Sequence, residues 1–195
     1  MLVAIDGPAG AGKSTVARAA ARALGFTYLD TGAMYRCAAL ADGRVDEIEI
    51  GFDGDRVLLN GEDVSDRIRT PEVSRRASEV AADSEVRKAL VARQRELLAE
   101  GDWVVEGRDI ATVVAPHAEV KVFLTAAPAV RACRRAAELG LDPEHVEREI
   151  LERDARDSGF GRSTNGPAPG AVEIDTTDLS VDEVVARIVE LTRSA

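Results

Sequence analysis

Residues 2–24, LVAIDGPAGAGKSTVARAAARAL, decide the fold of this chain. Leu2 to Asp6 is a short apolar run typical of a buried strand. Lys13 to Leu24 is an alanine-rich segment typical of a helix, and Gly25 is suited to end it. The glycine-rich stretch between them fits the pattern G-x-x-x-x-G-K-[ST]. A strand, such a loop and a helix in this order predict a site that wraps the phosphates of a nucleoside triphosphate.

Each part of this loop has a physical task. Its glycines let the backbone approach phosphate oxygens closely, with the amide hydrogens pointing inward. Lys13 is expected to reach the β- and γ-phosphates, and the Ser14 hydroxyl to ligate Mg²⁺. The residues predicted to bind ATP are Gly7, Pro8, Ala9, Gly10, Ala11, Gly12, Lys13, Ser14 and Thr15.

The rest of the chain continues the alternation of strand-like and helix-like segments, which predicts an α/β fold with a parallel sheet. Further strands of this core are expected at Phe26–Leu29, Trp103–Glu106, Val120–Leu124 and Val172–Asp175. Helices are expected at Thr31–Leu40, Pro71–Ala99 with a break near Asp83, Pro128–Leu139, Pro143–Asp157 and Val181–Arg193. Ile48–Leu59 departs from the pattern, because two strand-like halves flank Asp53-Gly54 and predict an inserted β-hairpin.

Composition and charge narrow the class of partner. The chain is 45% hydrophobic, and no apolar run approaches the roughly 18 residues of a membrane span. The start has no signal-peptide pattern, and Cys37 and Cys133 match no metal or redox spacing. These features predict a cytoplasmic protein that binds no membrane. The net charge of −10 argues against a nucleic-acid polymer as partner.

The basic residues are nonetheless suited to phosphate, because 22 of the 25 are arginines. Residues 30–36, DTGAMYR, follow the second strand, and residues 106–109, EGRD, follow the third. Loops after parallel strands line the ligand crevice, so both should lie near the glycine loop. Arg153, Arg156 and Asp157 precede a loop-like segment, Ser158–Gly170. Phosphoryl transfer needs groups that neutralise charge and hold the reactants in line, and arginines from three segments are suited to both tasks.

The glycine loop alone does not say what is done with the triphosphate. No guanine-reading Asn-Lys-x-Asp segment is present, which excludes a GTPase switch of the usual kind. Kinases of shikimate, gluconate or another nucleoside monophosphate remain alternatives within the enzymes. A regulatory module that binds ATP without turnover is an alternative of another class.

Several motifs together resemble the bacterial cytidylate kinases, in the same order and over nearly the whole chain. They are IDGPAGAGKST, LDTGAMYR, GEDVSDRIRTPEVS, the spaced Ser78 and Arg87, VEGRDIATVV, ERDARD and VEIDTTDLSVDEVV. The resemblance implies a five-stranded parallel core flanked by helices, a nucleoside-monophosphate-binding insertion and a short helical lid. We place the insertion at residues 42–100 and the lid at 143–170 of a single domain, 1–195. The resemblance further implies a monomeric enzyme that uses ATP and Mg²⁺ to phosphorylate CMP and dCMP.

The resemblance also implies the roles of individual residues. Ser78, Arg87 and Asp109 would read the cytosine ring, with Tyr35 packed beside it. Thr31, Arg36 and Arg108 would hold the acceptor phosphate. Arg153 and Asp157 would contact the ribose hydroxyls. Lys13, Arg108, Arg153 and Arg162 form the predicted catalytic set.

Two features depart from the family pattern. The segment between Arg36 and Glu62 is short, which leaves the extent of the insertion open. The lid arginine expected three residues after Asp157 is replaced by Phe160. Because glycines flank Phe160 and free the backbone, Arg162 is expected to supply the missing phosphate contact.

Overall fold

The computed structural model describes residues 1–159 and 166–195, and it describes side chains for all of these except 156–159. The chain divides into two compact units. The first consists of Met1–Leu29 with Glu100–Ala195, and the second of Asp30–Ala99. Arg162 and Phe160 lie outside the described residues, as do the side chains of Arg156 and Asp157.

The elements follow in chain order. They are β1 Leu2–Asp6, α1 Lys13–Leu24, β2 Thr27–Asp30, α2 Thr31–Leu40, β3 Ile50–Asp53, β4 Arg56–Leu59, β5 Glu62–Asp63, α3 Pro71–Val80, α4 Ser84–Leu97, β6 Trp103–Gly107, β7 Val120–Thr125, α5 Pro128–Leu139, α6 Pro143–Gly159, β8 Val172–Asp175 and α7 Val181–Ser194. Short 3₁₀ turns occur at Val45–Glu47 and Arg67–Arg69, and a π-helical turn at Ile110–Val114.

The first unit contains a five-stranded parallel sheet in the order β2-β6-β1-β7-β8. β1 is therefore central, and it pairs with β6 on one side and β7 on the other. All five residues of β1 are buried, as is usual for a central strand of a parallel sheet. The core joins the apolar residues of β1, β6 and β7 to the buried sides of α1 and α7. This confirms the predicted fold class.

The second unit contains α2, a three-stranded antiparallel sheet and the helices α3 and α4. The predicted hairpin is present, but its turn lies one residue further along the chain. Asp53 pairs with Arg56, so the two turn residues are Gly54 and Asp55. Gly54 has a φ of 58°, which glycine adopts without strain. The third strand, β5, was not predicted, because two charged residues carry no strand pattern.

The expected break near Asp83 separates α3 from α4. The Asp83 carboxylate caps α4 by accepting hydrogen bonds from the backbone N–H groups of Glu85 and Val86. The other helices match their expected bounds closely. In the described part of the chain, no helix combines the length and apolar character that crossing a membrane requires.

Candidate active site

The glycines of the phosphate loop are required by close backbone contacts. A Cβ atom on Gly7 would lie 2.1 Å from the backbone oxygen of Leu124 in β7. On Gly10 it would lie 2.7 Å from the backbone oxygen of Arg131 in α5. Gly12 has open space around it, but its φ of 84° is in the left-handed region. Helix α1 starts directly after it, so the positive end of the helix faces the loop.

Lys13 is half-buried at the start of α1. Its Nζ donates a hydrogen bond to the backbone oxygen of Pro8, at 2.8 Å. The pKa of Lys13 is lowered to about 7, first by burial and then by the positive charges of Arg108 and Arg153. Glu106 and Asp6 act in the opposite direction. The structure therefore brings three predicted catalytic residues, Lys13, Arg108 and Arg153, into one electrostatic environment.

Burial and the neighbouring cations together predict that Lys13 destabilises the ligand-free protein. Between pH 7 and 10.5 the unfolded chain holds a proton on this lysine that the folded chain has lost. The free energy of unfolding therefore rises with pH across that window. We expect Lys13→Met to raise the melting temperature by roughly 3 °C or more at neutral pH. The gain should shrink as pH increases towards 10.5, where the penalty disappears.

Thermal melts of both proteins across this pH range would test the prediction. Lys121→Met provides the control, because Lys121 is a half-buried lysine on β7 in the same unit. A Lys13→Met protein no more stable than the parent at pH 7 would contradict it.

Two residues that the sequence analysis missed join the phosphate loop to α5 and α6. The Asp154 carboxylate of α6 accepts hydrogen bonds from Arg131 Nη1 at 2.6 Å and Arg108 Nη1 at 3.5 Å. It also accepts one from the backbone N–H of Ala9, at 3.4 Å. Arg131 Nη1 in turn donates to the Ala9 backbone oxygen at 2.9 Å. One carboxylate thus fixes a loop residue and two guanidinium groups.

The strand β6 contributes a buried carboxylate of its own. Glu106 is 3% exposed, and it accepts a hydrogen bond from the Tyr28 hydroxyl at 2.6 Å. Arg108 and Asp109 follow β6 directly, and Asp109 is also buried. The pair therefore lies at the carboxyl end of its strand, as expected from the sequence.

The second unit groups most of the residues expected to bind the acceptor. Helix α2 carries Thr31, Tyr35 and Arg36, and Asp30 caps it by accepting from the Ala33 N–H at 2.9 Å. The other Asp30 oxygen accepts from Arg36 Nη2, at 2.7 Å. A Cβ atom on Gly32 would lie 2.9 Å from Arg36 Nη1, so glycine at this position lets the guanidinium lie close to the helix.

Ser78 and Arg87 belong to the neighbouring helices α3 and α4. α3 packs on α2 through a small apolar cluster that includes Tyr35 and Ala77. Ser78 is 7% exposed, and its Oγ has no hydrogen-bond partner within the described residues. A buried hydroxyl in this state is suited to a ligand that completes its hydrogen bonding.

The residues predicted to form the lid are only partly described. Arg153 is half-buried in α6. The backbone of Asp157 belongs to the same helix. Within the residues that the structure describes, no group of three or more His, Cys, Asp or Glu side chains could hold a metal ion.

Comparison with solved structures shows the fold. A gluconokinase from Sinorhizobium meliloti 1021 has a TM-score of 0.56 at 21% sequence identity, with coverage of 99% of this chain and 92% of that chain. A shikimate kinase from Bacteroides thetaiotaomicron has a TM-score of 0.56 at 15% identity, with coverage of 99% and 98%. Both are P-loop kinases by fold, and at these identities the likeness extends no further.

Comparison with protein sequences shows the family. The cytidylate kinase of Carboxydothermus hydrogenoformans is 46% identical over 98% of this chain and 96% of its own length. That of Caldanaerobacter subterraneus subsp. tengcongensis is 47% identical over 98% and 94%. The family description "Cytidylate kinase" matches residues 3–194. The chain therefore belongs to the cytidylate kinase family.

Proposed function

We propose that this protein transfers the γ-phosphate of ATP to CMP or dCMP, giving ADP and CDP or dCDP. The observation that carries the proposal is the family match over residues 3–194. The chain is accordingly a phosphotransferase of the nucleoside-monophosphate kinase type. The electrostatics of its first unit suit that chemistry, because the positive charges of Arg108 and Arg153 both act on Lys13 there.

The donor triphosphate would bind in the loop of residues 7–15. Its backbone N–H groups and the start of α1 would receive the phosphate oxygens. Lys13 would exchange its hydrogen bond to the Pro8 oxygen for one to the β- or γ-phosphate. The negative charge of the phosphates would raise the pKa of Lys13, so that it stays cationic while charge builds on the transferring group.

Mg²⁺ fits this donor site. Ser14 is exposed in the first turn of α1, beside Lys13, and offers one hard oxygen ligand. Magnesium commonly takes one or two protein oxygens and completes its shell with phosphate oxygens and water. Mg²⁺ would neutralise the charge that β- and γ-phosphates share.

The acceptor nucleotide would be bound by the residues that its chemistry and the family resemblance assign to it. Thr31, Arg36 and Arg108 would hold its phosphate, and Arg153 and Asp157 its ribose. For the base, the Asp109 carboxylate would accept from the exocyclic amine of cytosine, and Arg87 would donate to its ring acceptors. The unpartnered, buried Ser78 hydroxyl supports a role in base recognition. Tyr35 would pack beside the ring.

The organisation of the enzyme follows from these roles. We propose residues 42–100 as the nucleoside-monophosphate-binding insertion and 143–170 as the lid of a single kinase domain. Arg162 would replace the lid arginine expected at Phe160, and it would reach the phosphates when both nucleotides are bound. We further propose that the protein is a cytoplasmic monomer. Its partners would be small nucleotides and not a nucleic-acid polymer.

A substrate panel tests the reaction. The purified protein is incubated with Mg-ATP and, one at a time, CMP, dCMP, UMP, AMP, GMP, shikimate and gluconate, and ADP formation is followed. CMP and dCMP should be turned over fastest, and a sample without acceptor measures background ATP hydrolysis. Turnover of shikimate or gluconate but not CMP would overturn the proposal. ATP binding without turnover of any acceptor would favour a regulatory module.

A further inference from the structure

Residue 6 holds both ends of the segment that carries Arg108 and Asp109. Asp6 is the last residue of β1, and its backbone pairs with Gly107, the last residue of β6. Arg108 and Asp109 leave the sheet at that point. Directly after Asp109 the chain comes back to Asp6. The backbone N–H groups of Ile110 and Ala111 donate to the two oxygens of the Asp6 carboxylate, each at 2.8 Å.

The return point needs such an acceptor. Ile110 and Ala111 are the first residues of the π-helical turn, and the first N–H groups of a helical turn have no partner inside it. Both residues are buried, so water would not satisfy these groups. Asp109 occupies the capping position, but its side chain makes no capping hydrogen bond. The side chain that caps the turn is therefore Asp6, which belongs to β1 and is distant in sequence.

Packing alone does not explain a carboxylate at this position. Asp6 is 2% exposed, and its pKa is raised to about 6, with burial as the largest cause. The two backbone hydrogen bonds lower that pKa, as does the charge of Lys13, whereas the nearby Asp109 carboxylate raises it. The ionised group is thus costly to bury, and its two hydrogen bonds to residues 110 and 111 offset part of that cost.

We propose that Asp6 is a positioning residue that fixes Arg108 and Asp109 relative to the phosphate loop. Asp6 is bonded covalently to Gly7, the first residue of that loop, and Gly7 itself lies tightly against Leu124. One residue therefore sets the spacing between the donor site and the pair expected to read the acceptor. The inference rests on the function proposed above.

The variant Asp6→Asn tests this role, because it keeps the shape but turns one oxygen into an N–H donor that faces another donor. We expect kcat/KM for CMP to fall at least 10-fold. The ratio of kcat/KM for CMP to that for UMP should also narrow, since Asp109 is no longer held in place. In the double variant Asp6→Asn/Asp109→Asn, the ratio should be no narrower than in Asp109→Asn alone.

Asp175→Asn is the matched control. The Asp175 carboxylate also accepts two hydrogen bonds, from the Thr177 N–H at 2.9 Å and its Oγ1 at 2.6 Å, but at the end of β8. This variant should change stability only and leave the CMP to UMP ratio at the parent value. If Asp6→Asn behaved like Asp175→Asn, with lower stability and an unchanged ratio, the inference would be wrong.

A second measurement needs no folded variant of Asp6. In the ¹⁵N-labelled parent protein, the amide signals of Ile110 and Ala111 should shift with a midpoint near pH 6 as Asp6 titrates. Repeating the titration in Lys13→Met separates this effect from the ionisation of Lys13. Signals that move no more than those of β6 would overturn the inference. A parent enzyme inactive on CMP would instead refute the proposed function, and the amide shifts would still test the contact.

Discussion

Lys13→Met is expected to lower kcat by at least about 10²-fold, the usual cost of removing one donor that stabilises transition-state charge. The reason is that the γ-phosphate would lose the cation that follows it during transfer. The same substitution is expected to make the ligand-free protein more stable. A loss of turnover therefore cannot be attributed to unfolding if both effects are measured on one preparation.

Steady-state kinetics with saturating ATP and CMP would measure the effect, and Lys121→Met would show the effect of losing a lysine elsewhere in the same unit. Near-parent turnover by a folded Lys13→Met protein would remove the phosphate loop from the mechanism.

Asp109→Asn is expected to narrow the preference for CMP over UMP by roughly 10²-fold, measured as the ratio of kcat/KM values. UMP presents a carbonyl where CMP has an amine, and a buried carboxylate facing that carbonyl would be left without a donor. An asparagine amide could donate to the carbonyl of UMP. Because Asp109 is buried, solvent would not weaken this discrimination.

The Asp175→Asn variant again controls for the loss of one carboxylate. Equal discrimination by Asp109→Asn and the parent would show that another residue selects the base, and Arg87 would be the first to examine.

The sequence was sufficient for the parts of the site that depend on local chemistry. The glycine loop, the start of α1 at Lys13 and the position of Arg108-Asp109 after β6 all follow from short segments whose meaning does not depend on distant residues. The same holds for the break near Asp83, since a break in a helix is a local event.

The contacts of Asp6, Arg131 and Asp154 could not be predicted in the same way. Asp6 meets Ile110 and Ala111, and Asp154 meets Ala9, through hydrogen bonds between residues more than a hundred positions apart. Only the register of the sheet and the packing of α5 and α6 bring them together. Only their place in the sequence could have marked two of these residues, since Asp6 ends the strand before the loop and Asp154 follows Arg153.

Prediction of the hairpin turn and of the π-helical turn was limited by ambiguous local patterns. Asp53-Gly54 and Gly54-Asp55 are both acceptable turn pairs by composition, and the pairing of Asp53 with Arg56 decides between them. The turn at Ile110–Val114 is apolar and short, so its pattern does not distinguish it from a strand.

The order of strands in the first sheet also has a consequence for how the protein is made. β6 lies between β1 and β2, although it follows both in the chain and comes after the whole second unit. Leu2 thus pairs with Trp103, and the amino group of Met1 with Asp102. During synthesis, β1 and β2 emerge without the strand that joins them, while the second unit can form its own local contacts.

The phosphate loop therefore acquires its shape late. It is complete in the nascent chain by residue 15, yet Gly7 is packed against Leu124, and Asp6 pairs with Gly107 and Phe123. Folding of the second unit shortens the span that must close before these pairings form, which lowers the entropic cost of closure. The loop is thus synthesised well before Gly107, Phe123 and Leu124, yet it takes its final shape only after them.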